Sequence, residues 1–304
     1  MQSLYAFFSL KEDRDIAKAE KAMLKQFDEI VELHIVIISL LVALVRYTDD
    51  FLEAGKKKHL AQEKDLNPNK RFVDNSAIQM LRADETLMKK VAKVARIWTK
   101  DDYDLVRKIF KNIYTSDLYA AYLINPEQTD EVDKKFIVDV LKGYILNNKL
   151  FHHILEEKSI FWSDDLPFVA TLVIAQIREI EPNNNSFFLQ DVFKNKADKN
   201  FALDLFRKSI MHNKEFEEVI VQKAKNWDLD RIAIMDQLLI KMALCEILYM
   251  EELPIKVSMN EYIEIAKYYS TSKSKVFVNG LLDNAVKQFT KAGKIKKTGR
   301  GLIN

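Results

Sequence analysis

Residues 272–289, "SKSKVFVNGLLDNAVKQF", place apolar residues at the period of an α-helix. The positions i, i+3, i+4, i+7 and i+11, which share one helix face, hold Val278, Leu281, Leu282, Ala285 and Phe289. The pattern predicts a helix that begins near Ser274 and packs this face against a core.

Gly280 is unexpected in the middle of such a helix, because glycine there costs about 0.5–1 kcal/mol relative to alanine. Gly280 and Asn279 point away from the apolar face, Phe277 lies at its edge, and Lys273 and Lys275 come just before. Two interpretations follow from the residues alone. Another helix packs closely against Gly280, or the segment binds single-stranded RNA, which proteins hold by cations and exposed aromatic rings.

The rest of the composition also favours helices. The 304 residues are 48% apolar and 30% charged, with only 6 glycines and 5 prolines, and no stretch alternates as a half-buried strand does. We predict an all-α fold. A single cysteine, Cys245, excludes an intrachain disulfide, and the first residues lack the pattern of a signal peptide, so we expect a cytoplasmic protein.

One apolar run approaches the length of a membrane span. Residues 30–47, "IVELHIVIISLLVALVRY", are interrupted by Glu32, His34 and Ser39. We therefore expect a buried helix and no contact with a membrane.

An internal repeat appears when the chain is shifted by 65 residues. The stretch from Asp133 matches the stretch from Asp198, including a Trp–x–x–Asp pattern at Trp162 and again at Trp227. Both copies are interpreted as a helix, a short loop with the tryptophan, and a second helix. A duplicated helical hairpin is favoured over a coincidence of two amphipathic patterns.

The sequence lacks the motifs of catalysis. There is no phosphate-binding glycine loop, and Cys245 lies in an apolar helical run, where a buried thiol is usual. His152 and His153 are adjacent, so they point about 100° apart on a helix and cannot bind one metal ion together. We predict no enzyme activity, no metal and no cofactor.

Two acids on one apolar helix are of interest. Glu246 lies within the stripe formed by Met235, Leu238, Leu239, Met242 and Tyr249, so we expect its carboxylate to accept hydrogen bonds from the backbone of residues 254–261. Ser258 and Glu261 have the spacing of a capping box at the next helix start. Asp236, at the edge of the stripe, is a candidate for contact with a partner.

Charge is unevenly distributed along the chain. Residues 267–304 carry nine Lys or Arg and one acid, whereas the whole chain has a net charge of only +2. A basic end on an otherwise acidic protein favours a polyanionic partner. The alternative is that the last residues form a solvated, flexible tail.

Residues 226–289 resemble the C-terminal half of the NusB family of transcription antitermination factors. The shared pattern contains Trp227 with Arg231, Ala243 with Glu246, the segment from Pro254 to Glu261, and "FVNGLLD" from Phe277 to Asp283. "QSLYAFF" at residues 2–8 resembles the family's first helix. The order and spacing of several motifs make the resemblance specific, although it covers less than half of the chain.

The resemblance implies NusB-like helical bundles that bind boxA RNA together with NusE, a small-subunit ribosomal protein, in the transcription elongation complex. Matched position by position, it implies RNA binding by Lys273, Ser274, Lys275 and Phe277. Tyr5 and Asp236 match positions near the partner surfaces. It implies neither enzyme activity nor a cofactor.

The chain also departs from the family pattern. Residues from about 11 to 196 are largely extra, so we expect a helical region at 1–196 with the first family helix at 1–10. A NusB-like domain at 197–290 and a basic, flexible tail at 291–304 would follow. The arginine-rich stretch that usually precedes the first helix is absent here, because Met1 comes directly before "QSLY". Either the native start lies upstream, or phosphate binding has shifted to Lys273, Lys275 and the tail.

We therefore expect an RNA-binding antitermination factor. One alternative is a protein-only scaffold of the same fold that has lost RNA binding. The other is an RNA-modifying enzyme, against which the lack of a glycine-rich cofactor loop argues.

Overall fold

The computed structural model describes residues 1–10, 14–98, 103–182, 192–193, 195–223, 232–271 and 273–302. All regular structure in this part of the chain is helical, as predicted, and it comprises fifteen α-helices with short 3-10 and π turns. Trp227, Asp230 and Arg231 of the sequence motifs lie outside the described residues. The chain divides into two compact units, one of Met1–Leu24 with Phe193–Asn304 and one of Lys25–Val192.

The unit of residues 25–192 is built on one long helix. The helices with residues in this unit are α2 (Ile16–Lys56), α3 (Glu63–Leu66), α4 (Ser76–Ala83), α5 (Glu85–Val94), α6 (Tyr103–Tyr114), α7 (Asp117–Ile124), α8 (Asp130–Val140), α9 (Lys149–Lys158) and α10 (Ile160–Glu179). The first residues of α2, up to Leu24, belong to the other unit. Side chains of α2 such as Leu33, Val36 and Leu44 have no exposed surface and form one core with α4 to α10.

By length and composition alone, α2 and α10 could each cross a membrane. Core helices of soluble proteins pass the same test, and 61% of the apolar window of α2 is buried within the protein. The interpretation of residues 30–47 as a buried helix agrees with this burial. Its polar residues have partners inside the unit: Trp98 Nε1 donates to Ser39 Oγ at 2.8 Å, and the His34 ring is hydrogen-bonded to Gln176.

A buried polar network joins three helices of this unit. Asn75 caps α4 by accepting from the backbone N–H of Ile78, and its Nδ2 donates to the Tyr122 hydroxyl at 3.0 Å. That hydroxyl donates to Asp133 Oδ1 at 2.7 Å. Arg71 donates to the carbonyl oxygen of Tyr122 at 2.8 Å, at the end of α7. The network fixes α4, α7 and the start of α8 to each other, because every buried polar group in it is satisfied.

The unit that contains the chain ends surrounds one central helix. Its helices are α1 (Gln2–Ser9), the start of α2, α11 (Lys196–Met211), α12 (Asn213–Lys223), α13 (Ile234–Tyr249), α14 (Ile255–Tyr269) and α15 (Ser274–Lys291). Helix α13 contacts α1, α11, α12, α14 and α15. Eleven of its residues are buried. The helix is therefore buried around its circumference, whereas the sequence suggested a single apolar stripe.

The predicted apolar face of α15 is confirmed. Val278, Leu281, Leu282, Ala285 and Phe289 are all buried. One pair of helices supports the internal repeat. After the 65-residue shift, the bounds of α9 (Lys149–Lys158) agree with those of α12 (Asn213–Lys223) to within one residue. The tryptophan of the first copy differs from the expectation, because Trp162 is buried inside α10 and is not in a loop.

Glu246 joins α13 to α14, but by a different donor than expected. The Tyr262 hydroxyl donates to Glu246 Oε1 at 2.6 Å in the buried interior. Burial raises the pKa of the Glu246 carboxyl, and the Tyr262 hydrogen bond opposes this rise. The capping-box prediction is wrong: α14 begins at Ile255 with Pro254 as its N-cap, and Ser258 is already inside the helix.

The basic C-terminal residues differ from the flexible tail that the sequence suggested. Lys297 Nζ donates to the carbonyl oxygens of Glu246 at 3.0 Å and Met250 at 2.8 Å. The N–H of Thr298 donates to the carbonyl oxygen of Glu251. Lys297 therefore caps the C-terminus of α13, where the helix dipole favours a cation.

Gly301 allows this close approach. It is buried, and a Cβ added there would lie 2.0 Å from the carbonyl oxygen of Glu251. A side chain of any size would therefore displace backbone.

The substitution Gly301→Ala should detach the C-terminal residues from the loop after α13. We expect a loss of about 1–3 kcal/mol in the free energy of unfolding, the usual cost of overpacking, and faster hydrogen exchange of the Thr298 amide. Leu302→Ala, at a residue that is 66% exposed, is the matched control and should change neither quantity. Unchanged exchange at Thr298 in Gly301→Ala would show that the contact is not formed in solution.

Glu246→Ala should destabilise the protein by about 1–3 kcal/mol, because it leaves the buried Tyr262 hydroxyl without its acceptor. Glu246→Gln keeps an acceptor and should cost less. Since the pKa of Glu246 is raised by folding, its contribution to stability falls as pH rises from the unfolded value of about 4.3 through the raised folded value. Urea unfolding across this pH range should show that the free energy of unfolding changes less with pH in Glu246→Gln than in the wild type. An identical pH dependence in both proteins would contradict the raised pKa of Glu246.

Candidate nucleic-acid interface

The start of α15 is held in place by a buried serine. Ser274 is 2% exposed, and its hydroxyl donates to Asp236 Oδ2 at 2.7 Å. The same Oγ lies 2.8 Å from the hydroxyl oxygens of Ser270 and Thr271 and accepts from the Thr271 N–H at 3.2 Å. One side chain thus joins α13, the end of α14 and the first turn of α15.

This cluster presents the neighbouring side chains to solvent. Lys273 and Lys275, on either side of Ser274, are exposed, and Phe277 is half-buried. Val276 is 74% exposed, which is unusual for an apolar residue and was not singled out from the sequence. Two cations and two apolar side chains therefore surround the start of one well-anchored helix.

The predicted site residues thus divide into two groups. Lys273, Lys275 and Phe277 can meet a ligand directly, whereas the hydroxyl of Ser274 faces inward. Asp236, predicted to contact a partner, is only 5% exposed and lies beneath the loop. Its Oδ1 has no hydrogen-bond partner among the residues that the structure describes. Ser274 and Asp236 are therefore suited to positioning the loop.

Tyr5 lies in a separate pocket of about 330 Å³ between α1, α12 and α13. Tyr5 is 45% exposed, and Ile234 at the start of α13 is 60% exposed. Both line this pocket. An exposed aromatic ring beside an exposed aliphatic side chain offers an apolar contact for another protein.

A buried lysine forms the wall of the same pocket. Lys241 Nζ donates to Asn213 Oδ1 at 2.7 Å and to Glu217 Oε1 at 2.8 Å, and it lies 5.3 Å from the centre of the Phe8 ring. The sequence analysis missed Lys241. The signal was available, because the charge of Lys241 interrupts the apolar run "LLIKMALC" of residues 238–245.

Gly280 is not packed against another helix. It is exposed, and an added Cβ would meet no atom within 4 Å. Close helix packing, one of the two interpretations that the sequence left open for this glycine, is therefore wrong. The outward side of α15 is open at this point.

The described residues contain no cluster of three or more His, Cys, Asp or Glu side chains that could hold a metal ion. Burial raises the pKa of the Cys245 thiol to about 12, which keeps it protonated and unreactive. Fold and site together define an all-helical domain with a cationic, partly aromatic helix start.

Comparison with known proteins identifies the family to which this helical domain belongs. Residues 168–287 match the model of the NusB family. Proteins named transcription antitermination protein NusB from Salinibacter ruber and Chloroherpeton thalassium are 47% identical over 105 residues and 41% identical over 115 residues. These matches cover 34% and 38% of this chain, and 66% and 54% of the relatives. A third protein of this name, from Methylacidiphilum infernorum, is 46% identical over 87 residues, 28% of this chain and 61% of its own.

Residues 168–287 therefore form a domain of the NusB family of antitermination factors. The chain covers between about half and two thirds of the length of the relatives that it matches. The family match begins inside α10, before the boundary expected at residue 197. No solved structure matches the chain.

Gly280→Ala should stabilise the protein by about 0.5–1 kcal/mol, because alanine is the better helix former and meets no obstacle at this position. Thermal or urea unfolding measures the change. Gly143→Ala is the matched control, since an added Cβ there also meets nothing within 4 Å and Gly143 lies in the π turn after α8. A destabilised Gly280→Ala variant would indicate that this face is covered in solution.

Proposed function

We propose that the protein is an RNA-binding antitermination factor. It binds boxA-like single-stranded RNA together with NusE, the small-subunit ribosomal protein, within the transcription elongation complex in the cytoplasm. It acts by assembly and not by catalysis, and it needs no cofactor. The observation that carries the proposal is the start of α15, held by the Ser274–Asp236 hydrogen bond, where exposed Lys273 and Lys275 precede the half-buried Phe277.

Each group has a physical role in this mechanism. The ammonium groups of Lys273 and Lys275 neutralise phosphates, which supplies sequence-independent affinity. The ring of Phe277 offers a surface for stacking of an unpaired base. Because Ser274 is tied to α13, these groups are held in one arrangement before RNA binds, which lowers the entropic cost of binding.

The partner surface that we propose is the pocket lined by Tyr5. Its exposed tyrosine and isoleucine suit an apolar protein surface, and its wall carries Glu217 as well as the cations Arg14 and Lys241. This pocket also suits the alternative function, a protein-only scaffold that has lost RNA binding.

A titration of labelled boxA-like RNA, followed by fluorescence anisotropy with and without NusE at two salt concentrations, tests the proposal. Lys273→Gln/Lys275→Gln should weaken binding and reduce the slope of log affinity against log salt by about 1–2, because two phosphate contacts are lost. Lys196→Gln/Lys199→Gln, on the exposed start of α11, removes the same charge elsewhere and should leave affinity nearly unchanged.

Two results would decide against the RNA function. If the wild type binds no RNA with or without NusE but does bind NusE, the protein is the protein-only scaffold. If the two lysine pairs have equal effects, the binding is non-specific attraction to net charge and does not involve the start of α15.

A further inference from the structure

The outward face of α15 carries a straight row of exposed residues. They follow one another at i, i+3, i+7, i+11, i+14 and i+18, and are Lys273, Val276, Gly280, Asn284, Lys287 and Lys291. At 100° per residue these positions deviate by no more than about 60° from one line along the helix. The row lies opposite the buried face and extends for about 27 Å, the rise of 18 helical residues.

The middle of this row is unobstructed. Nothing lies within 4 Å of the position where Gly280 would carry a Cβ, and the next residue of the row, Asn284, is exposed. A chain that follows the helix can therefore approach its backbone closely at Gly280, as glycine permits in other binding sites.

The far end of the row opens into a basic cleft between α12 and α15. The cleft has a volume of about 490 Å³ and is lined by Lys223, Asn284, Lys287, Gln288, Lys291 and Ala292. Three ammonium groups and two amides line it, and none of its lining residues in the described part of the chain is an acid. Like charges that converge repel each other, so an anion bound between them would be stabilised.

One carboxylate lies beside the cleft. Lys287 Nζ is 2.6 Å from Asp283 Oδ2, and their side chains are 70% and 52% exposed. Such exposed pairs contribute at most about 1 kcal/mol. A phosphate can therefore replace Asp283 as the partner of Lys287 at little cost.

The composition of the cleft favours a nucleic-acid backbone as its occupant. Lysine and side-chain amides are common donors to phosphate oxygens, whereas the lining residues that the structure describes include no aromatic ring on which a base could stack. The open row also connects the cleft with Lys273 at the start of α15. A single strand bound at the start of α15 would reach the cleft with its phosphates.

We propose that the outward face of α15 is a second, sequence-independent binding site, where Lys223, Lys287 and Lys291 hold the phosphates of single-stranded RNA that continues beyond the nucleotides at Lys273–Phe277. This inference rests on the proposed RNA function. It separates two tasks on one helix, because the first turn contacts bases as well as phosphates and the last turns contact only the backbone.

The test is the dependence of affinity on RNA length. Fluorescence anisotropy is measured with single-stranded RNAs of about 6 and about 12 nucleotides, lengths within the usual range of single-strand sites. The wild type should bind the longer RNA more tightly. Lys287→Gln/Lys291→Gln should remove this gain, lower the salt slope for the longer RNA by about 1.4, and leave the short RNA unaffected.

Lys196→Gln/Lys199→Gln again serves as the matched control. Gly280→Gln adds an uncharged side chain to the open row and should also weaken binding of only the longer RNA. Melting temperatures of all variants verify that each is folded.

The possible failures are distinguishable. If Lys273→Gln/Lys275→Gln weakens binding while Lys287→Gln/Lys291→Gln and the control behave alike, the cleft proposal is overturned and the proposed function stands. If the wild type binds neither RNA, both are overturned. If the cleft variant loses binding of a Glu-rich peptide but not of RNA, the cleft is a docking site for an acidic protein segment, and the proposal fails.

Discussion

The domain that matches the NusB family is organised by three charged side chains buried on one helix. Asp236, Lys241 and Glu246 follow each other at intervals of five residues along α13, so they point to different sides of it. Asp236 accepts from Ser274 at the start of α15, Lys241 donates to Asn213 and Glu217 of α12, and Glu246 accepts from Tyr262 of α14. Because a buried charge without a partner is strongly destabilising, each of these side chains fixes the position of one neighbouring helix.

This arrangement explains why the candidate RNA-binding groups are surface residues on a rigid support. Ser274 and Asp236 are buried, and their hydrogen bond holds the backbone at the start of α15. This fixes the backbone positions from which Lys273 and Lys275 extend into solvent. A sequence pattern that marks all four residues cannot tell which ones hold the backbone and which ones face a ligand, since the site needs both. The separation requires the exposure of each side chain, which depends on how α13, α14 and α15 pack.

Much of the fold follows from the sequence, because helical periodicity, the scarcity of glycine and proline, and the buried face of α15 are local properties. The predictions that failed concern tertiary contacts. The first residue of α14, Ile255, lies three residues before the predicted cap Ser258, so Ser258 lies inside the helix. Gly280 is exposed and no other helix packs against it, and the residues next to it in the sequence do not reveal this. Lys241 and its partners Asn213 and Glu217 are more than twenty residues apart, so only the folded chain brings them together.

The basic residues near the C-terminus differ in exposure and in hydrogen bonding. The excess of cations near the C-terminus suggested a charged tail, but Lys297 is occupied in capping α13, and Gly301 brings the backbone against Glu251. Burial lowers the pKa of Lys297, and its ammonium group already donates to two backbone carbonyl oxygens. Lys273, Lys287 and Lys291, in contrast, are exposed along one side of α15. In the proposed function, the outward face of α15 binds the polyanion, and Lys297 stabilises the end of α13.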